Sequence, residues 1–470
     1  MADIYSRVAS ASLKKETSVN TAVTPDTFFG FLDEDIATEY GFTPATPVIA
    51  NRALNIRPVH NAIPAPVGTI NVNIEPKNLG HFMNSIFGGV SSGQYLPISS
   101  ASGAFTVGET VTGGSSTETA TVVIDASGEY LLVSGASGNF TDGETITGGT
   151  STETATVTEF DTTVYGHHGA LPSTATYTSY TLQFNFADSA IRYMGAYFTG
   201  IDALAQSDNV VTAGLKVMAH GQFRHAKVTA ITTSGAGAKT ITVDQTYGLV
   251  ASDTVKVYRP STDAFLDFSA ASVKTHTIGT IPSTTTFTVT NLETSLAVDD
   301  IIVLAPQTAS YTEGNEFPWI GGATYQIGAD VDNLASHPAE DFSFVFDNEF
   351  EARHAAGGSD FEDLFPDTLI RKGVTASGSL SSYYQNEELY KTLREKNQQA
   401  VKMTLTGSQI GSTGQYNEVK VTYADARFDP YQTSLTTDDV VNEEVSFTGF
   451  YDSSEAYLCR MLLVNDVSSY

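Results

Sequence analysis

The sequence predicts an all-β protein with two short helices, and three observations carry that reading. Short runs of alternating apolar and polar residues recur throughout the 470 residues, separated by Gly, Asn, Asp and Pro. Only two stretches space apolar residues as a helix does. Apolar residues make up 41% of the chain, enough to build cores, while only 16% is charged, so the polarity comes from Thr, Ser, Gly and Asn. The length suggests about three domains.

The N-terminus, Met1-Ala-Asp-Ile-Tyr-Ser-Arg7, lacks the apolar stretch of a secretory signal. No run approaches the ~18 apolar residues of a membrane span. The expectation is a protein made and kept in a cytosol, with no membrane partner. The first helix is expected over Pro76 to Phe87, where Leu79, Phe82, Met83 and Ile86 form one face and Gly88 stops it. The second is expected over Asn386 to Lys396. Asn386 can cap it, Glu387 and Glu388 suit its dipole, and Leu389 and Leu393 make a narrow apolar face.

Two regions read as insertions. Residues Ala101 to Val122 recur as Ala136 to Val157, with four of 22 positions changed. Each copy reads as strand, Gly-Gly turn, strand, so a small β-domain of two hairpins is expected over 98–160. The recurring Glu109, Glu144, Glu118 and Glu153 are expected on a solvated face. The second insertion, 223–315, is also duplicated: Thr240 to Val243 and Asp253 to Val257 return as Thr286 to Val289 and Asp299 to Val303.

With both insertions removed, a third repeat emerges. Gly68 to Ile74 precedes the first helix, and Gly373 to Leu380 precedes the second. Each helix is followed by a strand pair, Tyr180 to Phe186 with Ala190 to Phe198, then Val401 to Leu405 with Glu418 to Tyr423. Asp208-Asn-Val-Val before Leu215-Lys-Val217 returns as Asp438-Asp-Val-Val before Val445-Ser-Phe447. The domains expected are therefore 1–97 with 161–222, the insertions 98–160 and 223–315, and 316–470.

The patterns that carry catalysis are missing. There is no His-Glu-x-x-His, no Gly-x-Ser-x-Gly and no calcium loop; Asp330-Val-Asp332 supplies only two carboxylates. Gly235-Ala-Gly-Ala-Lys-Thr240 imitates a phosphate loop but lacks Gly before Lys239 and precedes a strand, so it reads as a hairpin turn. His167-His168, in an expected loop, point apart. Trp319 reads as a packing anchor, and Cys459, the one cysteine, as a buried filler in a strand. The expectation is a protein that is not an enzyme, with no cofactor and no metal.

What remains is charge. The chain carries 53 acids against 24 bases, a net charge of −29, which disfavours specific nucleic-acid binding. Between Asp330 and Asp367 there are eleven acids and one base, Arg353. In the strand from Phe342 to Ala352, Phe342, Phe344, Phe346 and Phe350 share one face, and Asp347, Glu349 and Glu351 share the other. Asp33 and Asp35 are the weaker candidates from the equivalent strand of the first half.

Several segments together resemble the tail tube (major tail) proteins of long-tailed bacteriophages. They are Leu13-Lys-Lys-Glu-Thr17 with Thr21 to Pro25, Arg57-Pro58 with Ile63 to Ile70, and Leu79-Gly-His-Phe82 with Phe87-Gly88. Ser179 to Phe184, Ala196 to Ile201, Asp341 to Phe350 and Val445 to Asp452 complete the set. The resemblance covers about 1–95, 165–220 and 320–470 and leaves out the insertions. It implies a duplicated tail-tube β-sandwich/barrel domain carrying inserted, immunoglobulin-like β-domains. It implies a structural subunit that stacks as rings around a tape-measure protein, between a tail terminator and baseplate or tip proteins. Such a tube is assembled in the host cytoplasm, becomes part of the virion tail, and lets DNA pass without specific binding. Asp347, Glu349, Glu351, Asp33 and Asp35 would then face the lumen. If each chain supplies two of six tube domains, the ring is a trimer; without the duplication it is a hexamer. The competing reading is a β-repeat adhesin or a capsid or tail decoration protein that binds host-surface glycans.

Overall fold

Alternation along the strands places one side chain in two in a shared interior, and the chain is organised around that interior. The computed structural model describes residues 9–38, 42–45, 57–60, 64–126, 128–172, 176–206, 209–266, 274–292, 294–311, 316–318, 322–354, 364–384, 388–395, 397–434 and 441–470. Trp319, Asp208 and Asp438 lie outside the described residues. The protein is all-β with two short helices.

Sixteen strands form the body. In the first half they are β1 (Ser10–Lys15), β2 (Thr27–Phe29), β3 (Asp33–Glu34), β4 (Val67–Asn73), β5 (Tyr180–Asn185), β6 (Ala190–Gln206), β7 (Thr212–Met218) and β8 (Gly221–Phe223). In the second half they are β9 (Ala323–Gly328), β10 (Leu334–His337), β11 (Asp341–Arg353), β12 (Thr368–Tyr383), β13 (Gln399–Gln409), β14 (Tyr416–Ser434), β15 (Asn442–Phe450) and β16 (Cys459–Asn465). Helix α1 (Pro76–Ile86) follows β4, and α2 (Glu388–Glu395) follows β12.

The two halves pair their strands identically. In the first, β1 joins β2 and β5, β6 joins β5, β7 and β8, and β4 joins β7 and β3. In the second, β9 joins β10 and β13, β14 joins β13, β15 and β16, and β12 joins β15 and β11. Even the bulges recur. The register slips between Tyr180 and Leu182, opposite Ala196 and Tyr193, and again between Gln399 and Val401, opposite Ala426 and Tyr423. It slips between Phe198 and Gly200, and again between Phe428 and Tyr431. Such bulges bend a strand, and β6 and β14 each change partners along their length, from β5 and β8 to β7 and from β13 and β16 to β15.

One core serves both halves. Phe82 of α1 packs edge-on against Phe198, at 4.8 Å between ring centroids, and Phe87 against Phe346, at 5.5 Å. The expected face of α1 is buried, and Gly88, with φ of 72°, ends the helix. Asn386, Glu387 and the side chains of Leu389 and Leu393 lie outside the described residues. Cys459 is fully buried in β16.

The tandem repeat has its own core, including Phe105, Val111, Phe140 and Ile146. Its two copies pair strand to equivalent strand, Thr110–Gly113 against Thr145–Gly148. The region after β8 has another core around Val255, Phe287 and Ile302, in which Gly235–Thr242 pairs with Thr286–Leu292. Gly235 to Thr240 therefore lies within a strand, with a bulge at its glycines, and is not a hairpin turn. His167 and His168 sit in the strand Tyr165–Leu171 and not in a loop. His167 contacts Ser92 Oγ at 2.8 Å, whereas His168 Nδ1 meets Tyr130 Oη at 2.8 Å, so the two do point apart.

Candidate functional site

Both halves contribute to one uninterrupted sheet. Strand β6 pairs with β11 from Gly200 opposite Asp347 to Gln206 opposite Asp341. The order across the join is β3, β4, β7, β6, β11, β12, β15, β14. Directly opposed residues lie on the same face. One row crosses all eight strands: Asp33, Asn71, Gly214, Asp202, Val345, Ser377, Thr448 and Arg427. The next row contains Thr69, Lys216, Gly200, Asp347 and Thr375. The opposite face bears Ile70, Leu215, Ile201, Phe346 and Ala376 and is buried.

The candidate acids thus divide by their partners. Asp347 is held by Lys216, and Glu349 is exposed. Glu351 pairs with Lys372 and, at 2.6 Å, with Arg353. The Lys372 hydrogen bond, with the Arg353 charge, holds its carboxyl below the usual range. Asp33 accepts from Asn71 Nδ2 at 2.6 Å, and Asp35 from the Thr69 N–H at 2.5 Å. Asp33 and Asp347 stand on one face although 314 positions separate them in sequence. The face is not purely acidic, because strand pairing brings in Lys216, Lys372 and Arg427 from other segments. Charge counted along the sequence overstated the charge on the surface.

Two of the four glutamates of the tandem repeat are placed differently from the expectation, whereas Glu118 and Glu153 are partly exposed. Glu109 and Glu144 are buried, not on a solvated face. Glu144 reaches the other copy's Gly-Gly turn, accepting from Ser115 N at 2.8 Å, Ser116 N at 2.9 Å and Ser116 Oγ at 2.6 Å. Glu109 mirrors this with Thr150 N at 2.8 Å, Ser151 N at 2.8 Å and Ser151 Oγ at 2.7 Å. Burial pushes both carboxyls up, but these hydrogen bonds outweigh it and bring each down to about 2. Glu118 and Glu153 accept from Ser137 and Ser102.

Glu109 and Glu144 also cap their own turns, through Thr106 N at 2.7 Å and Thr141 N at 2.6 Å, and the second insertion repeats this feature. Asp253 and Asp300 cap their own turns through Val250 N at 2.7 Å and Ala297 N at 2.8 Å. The residue before each of the four acids has positive φ: Gly108, Gly143, Ser252 and Asp299. An apolar residue, a tight turn, a left-handed residue, an acid and a strand make one unit present four times. The sequence holds that pattern, but its acids vary between Glu and Asp and its left-handed residue is Gly in only two copies.

Among the described residues no group of three His, Cys, Asp or Glu side chains is placed to hold a metal. No described helix is long and apolar enough to cross a membrane. No protein-family model matches the chain, and no curated protein matches it.

Proposed function

We propose that this chain is the repeating subunit of a phage tail tube, assembling with itself into stacked rings. The observation that carries the reading is the tandem join: two identically paired halves continue one sheet across β6 and β11. A sheet extended by repetition suits a closed barrel, because closure removes the edges that otherwise aggregate. Each chain counts as two tube units, so three chains complete six.

The join also supports a direction for the wall. One face of the eight-stranded run is covered by α1 and the deeper strands, so the face with Asp33, Asp35, Asp347, Glu349 and Glu351 is the one available to line a channel. Three such runs make a barrel roughly 37–48 Å across between backbones, from ~4.8 Å per strand and tilts up to ~40°. Six chains would double that width. Exposed Glu349 and an acidic chain repel phosphate, so DNA passes without being held. Tape-measure, terminator and baseplate or tip proteins are the partners this reading requires, and the virion tail is its location.

Negative-stain microscopy and image reconstruction of the purified protein test the proposal. Tubes of threefold rings with pseudo-sixfold interiors are expected. Isolated elongated particles at every concentration would instead favour the glycan-binding decoration protein.

A further inference from the structure

The tandem join leaves two strand edges over, and they match. Among the described residues, β3 pairs only with β4, and residues 431–434 of β14 pair only with β15. The equivalent edges inside the chain, those of β11 and of 200–206 in β6, pair with one another. We propose that a second copy of this chain is the missing partner: residues 431–434 of one copy pair antiparallel with residues 35–38 of the next.

The register follows from the internal join. Leu215 opposes Ile201 as Val445 opposes Tyr431, so Tyr431 stands where Ile201 does. Asp33 opposes Asn71 as Asp341 opposes Ser381, while Leu215 opposes Ile70 as Val445 opposes Leu380, so Asp33 stands where Asp341 does. Ile201 opposes Phe346, Asp202 opposes Val345, Ala203 opposes Phe344 and Leu204 opposes Ser343. Carried to the free edges, Tyr431 opposes Thr38, Gln432 opposes Ala37, Thr433 opposes Ile36 and Ser434 opposes Asp35.

The chemistry of the edges agrees. The acids Asp33, Glu34 and Asp35 lie on one edge, and Tyr431 to Ser434 carry no charge, so no like charges meet. Leu32, Asp35 and Ala37 donate their N–H groups to β4 or its extension, which leaves the Ile36 N–H on the open side. There it meets the Glu34 carboxylate at 3.0 Å. A carboxylate on an open edge is a guard against unwanted pairing, and it must turn aside when the next copy docks. At the occupied internal edge, Phe342 stands in the place of Glu34.

This inference rests on the self-assembly reading, and the test separates the two. Ala37 exchanges both backbone hydrogen bonds with Val67, at 2.9 and 3.1 Å. At the other edge it is therefore a non-hydrogen-bonded position, with its partner's Cα ~4.5 Å away, within disulfide range. The full-length Ala37→Cys/Gln432→Cys variant is oxidised with diamide and run on a non-reducing gel; native Cys459 is fully buried. Covalent dimers and trimers are expected, with most of the protein linked. A mixture of the two single-cysteine variants should stop at dimers. Tubes or rings that form in the microscope without such links overturn the register. A double variant that is folded by its melting transition but never assembles, like the parent chain, overturns the self-assembly reading itself. If the cysteines alone block assembly, Ile36→Pro decides: it removes the open-edge N–H, and rings that survive it intact overturn the pairing.

Discussion

Among the described residues Arg192 is the most buried cation, and its removal should loosen the second inserted region from the sheet. It is 1% exposed and makes two bonds to Asp253, at 2.6 and 2.9 Å, two to Gln183 Oε1, at 3.0 and 2.8 Å, and one to Gly248 O, at 2.9 Å. Arg192→Met keeps much of the volume but leaves the Asp253 carboxylate, 3% exposed, with Thr24 Oγ1 at 2.8 Å and Val250 N at 2.7 Å. A buried carboxylate stripped of its cation costs ~3–5 kcal/mol. Adding Asp253→Asn removes the stranded charge, so the double variant should lose only ~1–2 kcal/mol relative to the parent. Native-state hydrogen exchange at the amides of Val255, Ile302 and Phe287 reads the opening of this region apart from the rest. If Arg192→Met costs less than ~1 kcal/mol there, or if the double variant is as weak as the sum of the singles, the clamp is not holding the region.

The other perturbations follow from the same contacts. Phe346→Ala, at a fully buried position shared by both halves, should cost ~3–5 kcal/mol in urea unfolding and abolish assembly with it. Glu109 and Glu144 have folded values near 2, below the unfolded carboxyl value, so their stabilisation is complete above about 4.5 and is lost as pH falls toward 2. Melting of the parent should therefore fall steeply over that window, while Glu109→Gln/Glu144→Gln should be weaker at pH 7 by ~1–3 kcal/mol and flatter in acid. Replacing 98–160 by a short linker should leave thinner tubes in the microscope, because Thr158 N already bonds Pro97 O at 3.1 Å and the cut ends are adjacent. A folded deletion variant without tubes would place the repeat in the assembly contact.

The all-β class, α1 and the order of the strands after each helix were legible because periodicity is local: Leu79, Phe82, Met83 and Ile86 declare their face within one helix. The acid face of β11 was legible for the same reason, since Phe342, Phe344 and Phe346 fix its inner side. What the sequence hid depends on distant pairing. Lys216 neutralises Asp347 from another strand, and no count along the chain places it there. Glu109 and Glu144 looked like surface acids because most of their donors are backbone N–H groups of turns, which any sequence supplies. Gly235 to Thr240 looked like a turn because glycines serve bulges as well as turns.

The chain contains repeats joined in two ways, and the difference sets what each can do. In both inserted regions a strand pairs with its own copy, so each unit meets its twin about a twofold axis and both use the same edge. Such a contact is saturated: each unit has spent on its twin the edge that a third would need. In the body, the first half offers one edge to the second and keeps a different one, so every addition leaves the same offer standing. Twofold matching ends growth, whereas head-to-tail matching continues until geometry brings the last edge to the first. One polypeptide thus carries terminating ornaments on a propagating frame, and new ornaments of the first kind can be grafted without altering how far the frame extends.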